Sequence, residues 1–386
     1  MTIRKEMQEK SVKVVMVDSL IGNPYSTCLS EGLQENGAEI HLIVPENRKF
    51  SRSEKFKVLY LSPSKSNDRN KANKIFAFII YLLHLYRYIK SSKCDIVHYQ
   101  FFRRKEEVLF FRFLKWRGVK LIITAHNVLP HESSKLDFYV KSLVYKSANA
   151  IIVHSDFIKN KIIQNFSINS NKINVIPHGN FDYYIKPNEI TYEDSRKNFS
   201  LDISDNVMLF FGFIRPYKGL DLLLEAFEKA AEKDFKLKLI IAGNVIEGRE
   251  SLIEEIARNK FSSRIHTILS FVPNEEVAKY FAAADVVVLP YKNIDHSGII
   301  HLAYSFSKAV LATNVGDFNE VIEDGKSGKI LNNNNPDEFA DAIIDIFKDK
   351  SKLREMGDYG KFLNKTKYSW QDISKKTIQV YNKVIG

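Results

Sequence analysis

The sequence predicts two doubly wound α/β domains in one chain, and three observations carry that prediction. At 386 residues, with 45% apolar and 27% charged residues, the chain has a globular composition and exceeds what one hydrophobic core usually serves. Short β-branched runs alternate with longer segments of helical period, the pattern of βα units around a parallel sheet. The rhythm runs twice, with strands expected at 12–17, 40–44, 96–99, 121–125 and 150–153, then at 207–211, 237–242, 264–268, 286–289, 309–312 and 329–331. Between the series, 177 to about 206 lacks a period, carries Pro187, and reads as a linker plus a surface helix. Ligands of such sheets bind beyond the carboxyl ends of the strands, so functional residues are expected just after strands, in a cleft between two facing domains.

Composition removes several classes. The two cysteines, Cys28 and Cys94, have no metal-ligand spacing around them, which excludes a disulfide framework and fits a cytoplasmic setting. The first ten residues are polar, the apolar run at 12–17 is too short for a signal sequence, and no run reaches the roughly 20 apolar residues of a membrane span. The net charge of +11 is uneven: residues 1–180 hold 29 Lys+Arg against 15 Asp+Glu, and the remaining 206 hold 28 against 31. Within 65–120 the balance is 14 to 4, among aromatics such as Phe76, Tyr81, Phe110 and Trp116. Basic residues among aromatics suit an anionic membrane surface, or form a solvated face over a buried helix. No nucleic-acid motif is present, so nucleic acid is not an expected partner.

The most informative segment is Leu209-Phe-Phe-Gly-Phe-Ile-Arg-Pro-Tyr-Lys-Gly-Leu220, followed by Leu223, Leu224 and Phe227. A strand ends at Gly212 and an amphipathic helix opens at Gly219, which puts Arg215 and Lys218 on a strand-to-helix loop. There two cations can converge on an anion, Arg as a planar fork and Lys as a point charge. No Walker A pattern and no Gly-x-Gly-x-x-Gly follows a strand, so ATP hydrolysis and dinucleotide redox chemistry are poor candidates.

These residues are similar to the phosphate loop of the GT-B glycosyltransferases, especially the family 4 group. The resemblance continues through Ile241-Ala-Gly243, Phe271-Val272-Pro273, 284–291, Ser297-Gly298 and 313–321, and in the first half through 124–127, 153–155 and 175–179. It implies two Rossmann-like doubly wound domains facing across a cleft: an acceptor domain over 1–182, a nucleotide-sugar domain over 183–368, and a helix over 369–386 returning to the first. It also implies that Arg215 and Lys218 neutralise the donor diphosphate as it leaves, with Gly212, Gly243, Val272, Ser297, Gly298, Ile299 and Glu320 around the donor. Cations fixed where negative charge develops serve that step best. No Asp-x-Asp triplet occurs, so transfer is expected to need no metal. Zinc ligation is not expected either, since the ten histidines show no helical i, i+4 pair.

Around 295–303 a strand leads into an apolar helix, and Ser297, Gly298 and Ile299 present amides at its start; an anion site and a plain N-cap at Ser297 are compatible readings. Here the sequence departs from the family. The two glutamates many members carry, seven residues apart, align with Ile294 and Leu302, which leaves the stereochemical outcome and the ribose contact open, with Asp295 or a neighbour as substitute. Glu320 fits a donor contact or a salt bridge.

In the first half, His126 follows a strand directly, where an imidazole can hydrogen-bond a donor hydroxyl or take the acceptor's proton. His131 and Glu132 lie on the loop beyond it. Gly22, Asn23 and Tyr25 follow the first strand, with one glycine where the family uses a glycine loop, and are assigned to the acceptor side. His98, His154 and His178 are read as structural. The function expected is transfer of a hexose-type sugar from a UDP- or GDP-sugar to a lipid-linked saccharide, glycolipid or oligosaccharide in surface polysaccharide or glycan synthesis, by a cytoplasmic enzyme peripheral to the inner face of the cell membrane. The alternatives are a transferase acting on a small soluble acceptor and a non-catalytic sugar-nucleotide-binding protein.

Overall fold

A computed structural model describes residues 11–20, 24–46, 55–62, 71–101, 105–129, 134–185 and 190–386. The chain divides into two compact units, 1–177 with 370–386, and 178–369. The division precedes the expected 182 because Phe181 packs into the core of the second unit.

The first unit contains strands β1 Lys13–Asp18, β2 Glu39–Val44, β3 Lys57–Tyr60, β4 Ile96–Phe101, β5 Leu121–Thr124, β6 Ala150–Val153 and β7 Ile173–Val175. Its helices are α1 Tyr25–Glu35, α2 Lys71–Ser92, α3 Glu107–Trp116, α4 Lys135–Ser147, α5 Asp156–Phe166 and, from the end of the chain, α14 Trp370–Ile385. The strands form one parallel sheet in the order β3-β2-β1-β4-β5-β6-β7. Two short edge strands, β3 and β7, escape the sequence pattern: β3 is largely solvent-facing and β7 has three residues. The central strands β5 and β6 are buried throughout, as expected of a sheet covered on both faces.

One apolar layer joins Phe78, Tyr81 and Leu85 of α2 to Phe111 and Leu114 of α3 and Val144 of α4. The opposite layer joins Leu29 and Leu33 of α1 to Ile373, Val380 and Tyr381 of α14. The two helices meet closely at Gly32, where an added Cβ would lie 2.8 Å from the Trp370 carbonyl oxygen. Polar ends fix the helices locally. Ser134 and Asp137 form a reciprocal capping box on α4, and Ser155 caps α5.

The second unit contains α6 Tyr192–Asn198, β8 Asn206–Phe211, α7 Leu220–Lys233, β9 Leu237–Ala242, α8 Arg249–Arg258, β10 Ile265–Ile268, α9 Val277–Ala283, β11 Val286–Leu289, α10 Gly298–Ser305, β12 Ala309–Thr313, α11 Phe318–Val321, β13 Gly328–Leu331, α12 Pro336–Phe347 and α13 Lys350–Lys365. Its sheet is parallel in the order β10-β9-β8-β11-β12-β13. The chain leaves β8 toward β9 on one side and returns to β11 on the other, so the order reverses between β8 and β11. Ligands of doubly wound sheets bind beyond the carboxyl ends at such a reversal. In α7, Leu220, Leu223, Leu224 and Phe227 face the core, the stripe its 3.6-residue period predicts.

Candidate functional site

In the second unit the loop after β8 lies at that reversal. Gly212 ends the strand with φ +105°, Arg215 is extended, Pro216–Lys218 make one 3-10 turn, and Gly219 opens α7 with φ +68°. Gly219 has no substitute, because a Cβ there would strike the Pro290 carbonyl at the end of β11. The Lys292 amide donates to the Tyr217 carbonyl at 2.8 Å, tying the loops after β8 and β11 together.

Lys218 is 7% exposed, its ammonium lies 5.1 Å from the Tyr291 ring centroid, and among the described residues it makes no ion pair. Burial, with the nearby Arg215 charge adding to it, brings its pKa down to about 8 against the opposing pull of Tyr217. A Cβ on Gly212 would lie 3.3 Å from Lys218 Nζ and 3.6 Å from Ile299 Cδ1, so Gly212, Lys218 and Ile299 converge. Ser297 holds the N-cap position of α10 without a side-chain capping bond, and Ile299 in the first turn of that helix is the residue that converges with Gly212 and Lys218. Arg215 is half-buried on the same loop. The arrangement is a cation pair plus a helix N-terminus, which suits a diphosphate.

Other donor-side expectations take different places. Gly243 follows β9 and backs onto the Gly212 carbonyl. The Val272 side chain belongs to the core, beyond the edge strand β10. Glu320 is exposed on α11, and its main-chain carbonyl accepts from Lys367 Nζ at 3.4 Å. Ile294 and Leu302 are core residues, while Asp295 is buried and its carbonyl accepts from the Asp317 amide. A cavity of about 490 Å³ elsewhere in the unit is lined by Asp221, Glu228, Glu255, Arg258 and Lys292, with none of the loop residues. Its lining mixes carboxylates with Lys229, Arg258 and Lys292.

In the first unit the order reverses between β1 and β4, and His126, after β5, is held by groups from both neighbours of its strand. Its Nδ1 lies 3.0 Å from His154 Nε2 and its Nε2 3.3 Å from Gln100 Oε1, while its ring stacks on Phe101 at 4.0 Å. His154 Nδ1 lies 3.1 Å from the Ile176 carbonyl and therefore donates, so a neutral His154 accepts from His126 at Nε2. On the far side, Gln100 Nε2 lies 3.2 Å from His98 Nε2, and His98 Nδ1 lies 2.7 Å from the Tyr381 hydroxyl of α14. Burial lowers the His98 pKa to about 3, so that ring is neutral. With His154 neutral, a His126 imidazolium donating at both nitrogens and a neutral His126 accepting from a turned Gln100 amide both satisfy the chain.

Tyr25, expected on the acceptor side, is 1% exposed, with its ring against His126, His154 and Trp370. It packs against His126 and is withdrawn from solvent. Gly22, Asn23, His131 and Glu132 lie outside the described residues. Sequence reasoning missed Gln100 and Phe101 as partners of His126 and gave His154 only a structural role. In this sheet a signal existed: all three residues lie at or just after the ends of neighbouring strands.

Two family profiles tile most of the chain: one described as Glycosyltransferase Family 4 matches residues 25–179, and one described as Glycosyl transferases group 1 matches 191–362. A D-inositol 3-phosphate glycosyltransferase of Corynebacterium urealyticum is 26% identical over 62% of this chain, which spans 57% of that relative's length. An uncharacterized glycosyltransferase of Methanocaldococcus jannaschii is 26% identical over 81% of this chain and 83% of its own. Among solved structures, Anabaena HepE in complex with UDP and glucose superposes with a TM-score of 0.77 at 16% identity, over 96% of this chain and 99% of its own. Sucrose-phosphate synthase from Thermosynechococcus elongatus does so with a TM-score of 0.76 at 16% identity, over 97% and 99%. With both halves matched in order and both sheets doubly wound, the chain belongs to the family 4-like, group 1 glycosyltransferases of GT-B fold.

Proposed function

We propose that this glycosyltransferase moves a hexose-type sugar from a UDP- or GDP-sugar to a lipid-linked saccharide in surface-glycan assembly, at an anionic membrane surface. The observation that carries the donor half is the convergence of Gly212, Lys218 and Ile299, with Arg215, at the β8/β11 reversal. As the bond from the anomeric carbon to the diphosphate oxygen breaks, its electron pair stays with the nucleoside diphosphate, and Arg215, Lys218 and the α10 amides meet the growing charge. The acceptor oxygen bonds the anomeric carbon and gives up its proton, with His126 as its recipient or hydrogen-bond partner. No metal ion is assigned to this step.

The membrane half rests on α2. Ile75, Phe76, Ile79, Ile80 and Leu83 are 36–65% exposed and form one stripe, while Phe78, Tyr81, Leu85 and Ile89 face the core. Exposed Lys74, Arg87 and Lys90 lie on the same helix. An apolar stripe with basic neighbours suits an anionic bilayer, although no helix of the described residues is long and apolar enough to cross a membrane.

A second reading has its own support: relatives named for D-inositol 3-phosphate and alpha-maltose-1-phosphate favour a small soluble acceptor. A thermal-shift screen of UDP-, GDP- and CMP-sugars, followed by measurement of nucleotide release with the stabilising donor, tests the proposal. Stabilisation by a UDP- or GDP-sugar with slow release to water is expected. Failure of every donor to stabilise the protein contradicts it.

A further inference from the structure

Sequence spacing separates His178, His296 and His301, but the fold of the second unit brings them together. All three are buried, and one ring nitrogen from each lies within 4.8 Å of the other two. Ring centroids are 5.1 Å apart for His178 and His296, 5.2 Å for His178 and His301, and 5.8 Å for His296 and His301. The transfer step proposed above assigns no role to these three rings.

The opposite nitrogens show how two of the rings are wired. His178 Nδ1 donates to the Gly179 carbonyl at 2.6 Å, and His296 Nδ1 donates to Asp317 Oδ2 at 2.8 Å. Those bonds put the lone pairs of both rings on Nε2 and hold the rings in orientation, as a carbonyl or carboxylate partner does for metal-ligating histidines. His301 is set by an edge contact with Tyr368, ring centroids 4.5 Å apart. Asp317 is fully buried, and a carboxylate removed from water calls for a compensating positive charge. Gly298 keeps the site open: a Cβ there would lie 3.0 Å from the Phe181 ring and 3.7 Å from His178 Nε2.

We infer that His178, His296 and His301 form a binding site for a divalent transition-metal ion of the zinc class, with Asp317 as the carboxylate behind His296. Three neutral imidazoles suit Zn²⁺, Co²⁺ or Ni²⁺ over Mg²⁺ or Ca²⁺, and leave a fourth tetrahedral position for water. An ion about 2.0–2.1 Å from each nitrogen spaces its ligands roughly 3.4 Å apart, so binding draws the rings inward by about 1 Å. The ion links the segment before α6, the first turn and a half of α10 and, through Asp317, the start of α11, and so stiffens the start of α10.

The test uses the full chain, stripped with a chelator and titrated with Zn²⁺ by calorimetry and with Co²⁺ by visible absorption. One equivalent is expected to bind, with the strong bands of four-coordinate Co²⁺ and a rise in melting temperature on adding Zn²⁺. His301→Phe, which keeps a ring against Tyr368, and His178→Ala should each weaken binding at least tenfold; Asp317→Asn should weaken it 10–100-fold. Circular dichroism checks the fold of each variant, and the Co²⁺ spectrum of the unmodified protein stands whether or not a variant folds. No binding, a six-coordinate Co²⁺ spectrum, or an affinity untouched by the histidine substitutions overturns the inference.

Discussion

Lys218 costs stability at the place where donor binding is proposed. Its ammonium is buried with no ion pair among the described residues, and that burial brings its pKa from 10.5 to about 8. Below pH 8 the folded and unfolded chains both hold the proton and the burial cost, about 3 kcal/mol at 1.36 kcal/mol per unit, is fully present. Between 8 and 10.5 the folded state sheds the proton first, and that cost disappears as pH rises. Lys218→Met should therefore raise the melting temperature most below pH 8 and less toward pH 10, while abolishing tight diphosphate binding; denaturation across that range checks it. A bound diphosphate favours the ammonium, so binding at pH 8–9 should take up a proton, seen as a buffer-dependent calorimetric enthalpy. The loop placement of Arg215 and Lys218 was legible in sequence because glycines bracket them. The setting of His126 was not, because Gln100 and His154 reach it across strands. His126→Ala should lower turnover far more than donor affinity, and Gln100→Leu should do the same to a smaller degree, both read from steady-state rates beside donor titration. Equal losses of stability in both variants, with kcat unchanged, would assign the network to structure.

At the scale of elements, the long buried strands and amphipathic helices follow from periodicity, whereas β3 and β7 do not. An edge strand of three or four residues, half exposed, carries too few alternations to stand out. Packing also reassigns residues that sequence position placed at a site: Tyr25 begins α1, yet its ring is enclosed by His126, His154 and Trp370. On α2 the period alone gives an apolar helix, and only burial separates its two apolar faces, one in the core and one outside. That outer stripe makes a measurable prediction. The protein should sediment with anionic vesicles at low salt and release as salt rises, and Ile79→Ser with Leu83→Ser should weaken binding at fixed charge. Equal binding to neutral and anionic vesicles would contradict the electrostatic part.

For the whole molecule, the charge is concentrated in residues 1–180 and the loop proposed to hold the diphosphate lies in the second unit, so the proposed surface attraction and the proposed donor binding can be tested separately. Strand alternation made two doubly wound units legible; the orders β3-β2-β1-β4-β5-β6-β7 and β10-β9-β8-β11-β12-β13 required the structure, and they put the loop after β8 at a reversal. The most direct test of that placement is the calorimetric affinity of UDP and GDP against uridine and guanosine, in the unmodified protein and in folded Arg215→Ala, Arg215→Lys and Lys218→Ala variants. Charged hydrogen bonds of this kind contribute roughly 1.5–3 kcal/mol each, so each alanine variant should lose at least about tenfold in diphosphate affinity while nucleoside affinity holds. Arg215→Lys should also lose affinity, since a point charge cannot reproduce the planar fork. Alanine variants that bind the diphosphates as tightly as the unmodified protein would contradict the assignment of the loop.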